Sequence, residues 1–448
     1  MKLFGTDGIR GIAGKELTSG LACRLGASLY RVLAEKNSRP MVIVGRDTRE
    51  SGLMLEEAVA RGFSDMGGNV LIAGVVPTPA IAFLTVSEGA DAGVMISASH
   101  NPAEYNGLKV FGGLGYKLPD AEENCIEELI LGEDDFSPAA DKGRIISDGS
   151  LREKYIRHVK SVCVPLSGRR IAFDTANGSA SVTAREIFGP EYTYLYDEPD
   201  GKNINLGCGS TRMNSLCRFV TENGYDMGVA FDGDADRCLL CDENGRILDG
   251  DFIISALAAE MKKAGTLDGQ RVIVTKLSNL GFHRMMSECG ISADQTDVGD
   301  RYVLERMLRT GAVIGGEQSG HIILRKFATT GDGQITAASC LALLAAYPDK
   351  KTSEIFCRMK KLPQISLNVA VPNELKTAVM SSESVLERQK DTERALNGRG
   401  RLVLRPSGTE PIVRIMLEGD DIEEITGYAE KLRTVIGEAV NVARGRMD

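Results

Sequence analysis

The sequence predicts an α/β protein of three related α/β units followed by a smaller C-terminal α+β unit. Short apolar runs with strand character alternate with stretches of helical apolar spacing as far as Pro363, the pattern of βαβ units on mostly parallel sheets. Beyond Pro363 the pattern changes to three strand-like runs and a terminal amphipathic helix, a smaller unit of its own. At 448 residues the chain also exceeds what one hydrophobic core supports, so several domains are expected.

The first unit, residues 1–148, opens on Phe4-Gly5-Thr6-Asp7-Gly8-Ile9-Arg10-Gly11, where repeated glycines let the backbone approach a neighbour closely. Thr18 caps a helix whose apolar positions Ala22, Leu25, Leu29, Val32 and Leu33 recur at helical spacing. Met41 to Val44 is a buried strand ending in Gly45-Arg46-Asp47-Thr48-Arg49. A helix from Ser51 to Met66, a strand from Asn69 to Val75 and a short helix after Pro79 follow. The apolar run Ala92 to Ile96 leads into Ser97-Ala98-Ser99-His100-Asn101-Pro102, with Asn106-Gly107 read as a second turn before Lys109. The polar stretch from Gly132 to Gly149, with Glu133-Asp134-Asp135 and Pro138, reads as a linker or surface excursion.

The second unit, 149–250, has strand Arg170 to Asp174, turn Ala176-Asn177-Gly178, helix from Ser179, strand Tyr192 to Leu195, helix Asn214 to Glu222 and strand Met227 to Phe231. The third, 251–363, has an alanine-rich helix from Asp251, strand Val272 to Thr275, a helix after Asn279 and strand Ala312 to Ile314. The last, 364–448, has strands Ile365 to Val371, Arg401 to Leu404 and Pro411 to Leu417, then a helix from Ile422 to Val440.

Composition excludes several classes of function. Hydrophobic content of 43% with 26% charged residues is that of a globular protein, and no apolar run approaches the roughly 20 residues that span a bilayer. The N-terminus turns polar too soon for a secretory signal, so the expected address is the cytoplasm. A net charge of -9 argues against wrapping nucleic acid but not against gripping one phosphate with a few arginines. Of ten scattered cysteines only Cys238 and Cys241 have CxxC spacing, and their apolar setting reads as buried free thiols.

Four loops carry candidate chemistry. Ser99 lies on a tight turn with His100 beside it and Lys109 downstream, a setting for a nucleophile or for a turn whose serines only satisfy backbone groups. Asp232-Gly233-Asp234-Ala235-Asp236-Arg237 places three carboxylates at a strand's end. Acids this close repel unless a hard cation sits among them, and oxygen donors suit Mg²⁺ ahead of Ca²⁺. An EF-hand, with Glu243 as its last ligand, is opposed by Arg237 where the loop needs glycine. Glu317-Gln318-Ser319-Gly320-His321 offers groups suited to sugar hydroxyls, or forms a simple strand-turn. In Arg405-Pro406-Ser407-Gly408-Thr409-Glu410-Pro411, with Arg414 beyond, backbone N–H groups, hydroxyls and two guanidiniums form a candidate phosphate cradle. The Walker and complete GxGxxG patterns are missing from the sequence, so the phosphate belongs to something other than a nucleotide substrate.

Taken in order, these four loops resemble the signature loops of the α-D-phosphohexomutase family, and Phe4 to Gly11 and Val298-Gly299-Asp300-Arg301-Tyr302-Val303 resemble its amino-sugar branch. The resemblance implies four domains around a central cleft. It implies that Ser99 carries a phosphoryl group, and that Asp232, Asp234, Asp236 and a phosphate oxygen on Ser99 hold one Mg²⁺. Arg237 and Arg10 would sit near that phosphate, and His100 and Lys109 are its candidates for proton transfer. Glu317, Ser319 and His321 would bind the sugar, and Arg405, Ser407, Gly408, Thr409 and Arg414 the phosphate that is not reacting. The implied activity interconverts glucosamine 6-phosphate and glucosamine 1-phosphate through a bisphosphorylated sugar, which also serves as activator. A homodimer and a kinase for Ser99 are compatible with it. Ala103-Glu104-Tyr105 departs from the amino-sugar pattern toward the hexose-phosphate branch, the alternative within the family. A metal-dependent sugar phosphatase and a binding protein without turnover are the alternatives outside it.

Overall fold

The computed structural model describes residues 3–5, 7–133, 136–407 and 410–445. They form two compact units, 1–278 with 286–358 and 279–285 with 359–448.

The first unit contains three sheets. The first has strands β1 (Phe4–Gly5), β2 (Gly8–Ile12), β3 (Met41–Arg46), β4 (Asn69–Val75), β5 (Ala92–Ile96), β6 (Tyr105–Gly112) and β7 (Ile145–Ser147), in the order β1-β2-β6-β5-β3-β4-β7. Strands β5, β3, β4 and β7 run parallel, while β1, β2 and β6 extend the sheet antiparallel. Helices α1 (Ser19–Ala34), α2 (Gly52–Asp65), α3 (Thr78–Ser87) and α4 (Asp120–Leu131) cover it. The Thr18 hydroxyl accepts the Leu21 N–H at 3.2 Å, the predicted cap of α1. Strand β5 is buried along its whole length, as its continuous apolar run requires.

The second sheet follows α5 (Ser150–Lys160) and has strands β8 (Ile171–Asp174), β9 (Thr193–Leu195), β10 (Met227–Phe231), β11 (Cys238–Asp242) and β12 (Ile247–Leu248), with helices α6 (Ala184–Phe188) and α7 (Asn214–Asn223). Its order is β12-β11-β10-β8-β9. The third has α8 (Gly250–Lys263), β13 (Arg271–Thr275), β14 (Ser292–Thr296), α10 (Asp300–Thr310), β15 (Ile314–Gly316), β16 (Ile322–Leu324), α11 (Gly333–Ala345) and α12 (Thr352–Phe356), with strand order β14-β13-β15-β16, while α9 (Leu280–Glu288) starts in the second unit and ends in the first. The C-terminal unit packs α13 (Lys376–Met380), α14 (Glu383–Leu396) and α15 (Ile422–Arg444) with an antiparallel sheet of β17 (Gln364–Ala370), β18 (Arg401–Pro406) and β19 (Ile412–Glu418), ordered β17-β19-β18.

Each of the four loops singled out in the sequence joins two neighbouring antiparallel strands. Ile96 pairs with Leu108 across the Ser99 loop, Phe231 with Cys238 across the aspartate loop, Gly316 with Ile322 across the Glu317 loop and Pro406 with Val413 across the arginine loop. In the first three sheets the strand entering the loop also pairs with a parallel neighbour. Ligand-facing loops at the carboxyl ends of parallel strands are the rule in α/β sheets.

Four local expectations are corrected. Asn106-Gly107 is no turn: both residues lie inside β6, opposite Gly11 and Arg10. Asn106 is held there by its side chain, which donates to Ser51 Oγ at 2.9 Å, and the chain reverses instead at Tyr105 N–H to Pro102 O. The linker before Gly149 contributes edge strand β7, exposed but paired with β4. The strand expected from Ala312 starts at Ile314, and the helix expected from Ser179 begins as a 3-10 turn over Ser179–Val182. Cys238 and Cys241 are free and buried in β11, where odd spacing points them to opposite faces.

Candidate active site

Ser99 stands at the end of β5 with φ 53°, a left-handed conformation that costs a residue with a Cβ free energy. Surrounding groups impose it. The buried Arg49 guanidinium donates to Ser99 O and Asn101 O, each at 2.9 Å, while the Asn205 amide donates to the same two carbonyls at 2.9 and 3.1 Å. Asp47 orients Arg49 at 2.9 Å and accepts the Ser97 hydroxyl at 2.6 Å. Ser97 Oγ in turn accepts the Ser99 N–H at 2.9 Å. The strained turn thus presents Ser99 Oγ to Asp232 Oδ2, to which it donates at 2.6 Å, with His100 Nδ1 3.4 Å away.

The aspartate loop closes against the serine loop. A Cβ on Gly233 would lie 2.6 Å from Ser99 O, so only glycine allows this approach. Ala235 takes φ 53°, which turns the three carboxylates inward. Asp232, Asp234 and Asp236 are buried, and one oxygen from each lies within 4.8 Å of the others. Among the described residues, Asp234 Oδ1 and Asp236 Oδ1 have no hydrogen-bond partner, Arg237 Nε lying 3.8 Å from the latter. Buried, clustered and partly unsatisfied carboxylate oxygens fit a hard divalent cation. Burial and then the neighbouring Asp236 and Asp234 hold the Asp232 carboxyl well above its ordinary range, a repulsion that a cation would relieve.

Fixed cations surround this loop. Lys109 Nζ, on β6, is 2.8 Å from Asp234 Oδ2, 3.1 Å from Asp7 Oδ2 and 3.5 Å from Asp236 Oδ2. Burial disfavours its charge, but Asp234, Asp7 and Asp236 outweigh burial and keep the ammonium protonated. The Arg237 backbone N–H donates to Asp232 Oδ1 at 3.2 Å, and among the described residues Arg237 Nε and Arg10 Nε have no hydrogen-bond partner. Burial, then Arg237 and Arg10, lower His100 to about 4, so its imidazole is neutral near pH 7. His321 behaves oppositely: burial opposes its charge, yet Asp236 and Asp300 raise it to about 9.

The Glu317 loop meets the aspartate loop through a bridge between Arg237 and His321. Glu317 accepts the Gly299 N–H at 3.1 Å, and Ser319 Oγ lies 3.5 Å from its other carboxylate oxygen. In the C-terminal unit Arg405 and Arg414 face each other directly across β18 and β19. Like charges so paired repel, and burial together with Arg414 lowers the Arg405 pKa, which makes the pair receptive to an anion. Ser407 is buried with its hydroxyl accepting the Glu410 N–H at 3.2 Å, and Arg414 pairs with Glu410. Gly408 and Thr409 lie outside the described residues.

Several residues that shape these loops escaped the sequence reading. Asp47 and Arg49 were visible only as a charged run after a buried strand. Asn205 and Thr78, whose hydroxyl donates to Asp234 Oδ2 at 2.5 Å, carried no local signal. Lys376 donates to Ser407 O and to Glu410 O across 31 and 34 residues of chain.

Comparison with known proteins agrees with this geometry. The chain matches phosphoglucomutase/phosphomannomutase alpha/beta/alpha domain I over residues 1–136, domain II over 153–245, domain III over 249–362 and the C-terminal domain over 367–435. Phosphoglucosamine mutase of Moorella thermoacetica is 48% identical over 441 residues, covering 97% of this chain and 99% of that protein. Phosphoglucosamine mutase of Clostridium kluyveri is 46% identical over 448 residues, covering 98% and 100%. Among solved structures, a phosphoglucomutase/phosphomannomutase family protein from Burkholderia thailandensis has the same fold with a TM-score of 0.80 at 22% identity, covering 98% of this chain and 97% of that one. Aspergillus fumigatus N-acetylphosphoglucosamine mutase, solved with GlcNAc-6P and magnesium, has a TM-score of 0.68 at 18% identity, covering 98% and 96%. The strained serine turn, the buried acid loop and full-length likeness to these relatives together establish that the chain belongs to the phosphoglucomutase/phosphomannomutase family, the α-D-phosphohexomutases.

Proposed function

We propose that the protein interconverts glucosamine 6-phosphate and glucosamine 1-phosphate through a phosphorylated Ser99 and a bisphosphorylated sugar. The observation that carries this reading is Ser99 Oγ held 2.6 Å from a buried aspartate of a three-carboxylate loop, in a chain whose 46–48% identical relatives are phosphoglucosamine mutases. In the forward half-reaction the bond from phosphorus to Ser99 Oγ breaks as the sugar O1 forms its own bond to phosphorus. The O1 proton leaves to a base, and Ser99 Oγ gains one. His100, 3.4 Å from that oxygen, and Lys109 are the candidates for this proton transfer, and Lys109, among three carboxylates, would also contribute charge. Arg237 Nε and Arg10 Nε, which make no hydrogen bond among the described residues, would donate to the phosphoryl oxygens. Asp232, Asp234 and Asp236, with a phosphate oxygen on Ser99, would hold one Mg²⁺, which when bound neutralises charge on the transferring group.

Glu317 and Ser319 orient the sugar hydroxyls, and Arg405, Ser407 and Arg414 take the idle phosphate. Because the second half-reaction returns the 6-phosphate to Ser99, that cradle must accept either phosphate in turn. A bisphosphorylated sugar, a dedicated kinase or autophosphorylation would each supply the first phosphoryl group on Ser99. The test is a side-by-side assay on glucosamine, glucose and mannose 6-phosphates with Mg²⁺ and catalytic bisphosphorylated sugar. A preference for glucosamine phosphate of about tenfold in kcat/KM, about 1.4 kcal/mol, supports the reading. Preference for a hexose phosphate moves the chain to the hexose branch, and release of inorganic phosphate in excess of isomerisation makes it a phosphatase. Ser99→Ala must abolish isomerisation while leaving the thermal transition in place.

A further inference from the structure

Six side chains form a closed ring in which carboxylates and nitrogen bases alternate. Asp236 Oδ2 lies 3.5 Å from both Lys109 Nζ and His321 Nδ1. Lys109 Nζ lies 3.1 Å from Asp7 Oδ2, and the other Asp7 oxygen is 2.6 Å from Lys117 Nζ. Lys117 Nζ is also 2.6 Å from Asp300 Oδ2, and that oxygen closes the ring by proximity, 3.6 Å from His321 Nε2, which itself accepts the Gly331 N–H at 3.1 Å. Asp7, Lys109 and Lys117 come from the first sheet and its loops, Asp236 from the second, and Asp300 and His321 from the third. All six belong to one compact unit.

Local structure explains how the ring forms. Lys117 bridges to Phe111 of β6, so Lys109 and Lys117 fall on one face of the pleat. Gly8, at φ 80°, brings the Asp7 turn down onto that face, where a Cβ would meet Leu108 O at 2.2 Å. Asp300 opens α10, where a helix N-terminus favours a carboxylate. Its neighbour Gly299 donates the N–H that holds Glu317 at 3.1 Å. Displacing Asp300 therefore moves the support of the sugar-facing glutamate. The Lys117 and Asp300 side chains are only 15% and 16% exposed, so removing one charge leaves the other poorly solvated.

We propose that Lys117 and Asp300 are positioning residues that set the spacing between the acid loop with Ser99 and the sugar-facing loop from Glu317 to His321. The kinetic part rests on the mutase reading; the structural part does not. The test compares the full-length wild type with Lys117→Met, Asp300→Asn, the double variant and Lys117→Arg. Folding is expected to survive, because Arg301 still pairs with Asp120, and Thr329 Oγ1 still donates to Gly115 O at 2.7 Å.

Expected are a fall in kcat of about 10- to 100-fold with KM changed less than about threefold, a double variant no worse than the poorer single, and partial recovery in Lys117→Arg. Amide hydrogen exchange over residues 297–303 and 316–322 should quicken by about tenfold while the melting temperature stays within a few degrees. Unchanged exchange in these two segments, additive losses, or a kcat loss that tracks the melting temperature would overturn the proposal. If the wild type turns over no sugar phosphate, the mutase reading alone fails and the exchange comparison decides the ring.

Discussion

Ser99 at φ 53° is held by neighbours from other loops. Arg49 and Asn205 donate to its carbonyl and so hold the turn in this strained conformation. The Lys109 ammonium, 2.8 Å from Asp234, supplies positive charge among acids whose mutual repulsion would otherwise oppose folding. A buried base elsewhere gives a prediction at this scale. His283 on α9 is lowered to about 4 by burial and by Arg401, so the folded chain favours its neutral form. Its contribution to stability is complete above the unfolded value near 6.5 and is lost as pH falls through about 4. After discounting for partial exposure, the urea transition of the second unit, which holds His283, should lose roughly 1 kcal/mol between these limits, and His283→Gln should lessen that loss. An unchanged profile in the variant would show that His283 does not titrate on unfolding.

Helices α1 and α2 approach closely enough that small residues decide their packing. A Cβ on Gly62 would lie 2.0 Å from Cys23 O, and one on Gly26 2.2 Å from Val59 O. Neither obstacle is a flexible side chain, so the helices themselves would have to part. Gly62→Ala should therefore destabilise by about 1–3 kcal/mol despite its better helix propensity, read as a lower melting temperature. A stabilised variant would show that the contact yields. The strand pairs follow a similar economy of design: one loop type, set between antiparallel neighbours, serves the serine, the acids, the Glu317 group and the arginines.

At the scale of the molecule, the first unit holds several separate apolar clusters, one including Val42, Val94 and Ile96, another Leu216, Val220 and Ala230, a third Ile273, Val303 and Met307, while the second unit packs around Ile415, Leu432 and Ile436. Unfolding of a chain so divided is not expected to be two-state. Calorimetry should resolve more than one transition, and a Gly62→Ala substitution should shift only the one that belongs to the first unit. A single transition with equal calorimetric and van't Hoff enthalpies would show that the units unfold together.

The sequence by itself determined the class of fold, the order of the four loops and the residues at their tips, because these depend on apolar periodicity and on side-chain chemistry carried within a few residues. The α1 cap at Thr18 and the buried thiols of Cys238 and Cys241 were legible for the same reason. Only the tertiary structure decided that Asn106-Gly107 continues a strand, since its partners Gly11 and Arg10 are distant in the chain. It alone joined Asp47 and Arg49 to the serine turn and Lys117 and Asp300 into a ring, the last pair separated by 183 residues. Contacts of that range depend on how strands and helices pack, and local sequence carries no record of the partner.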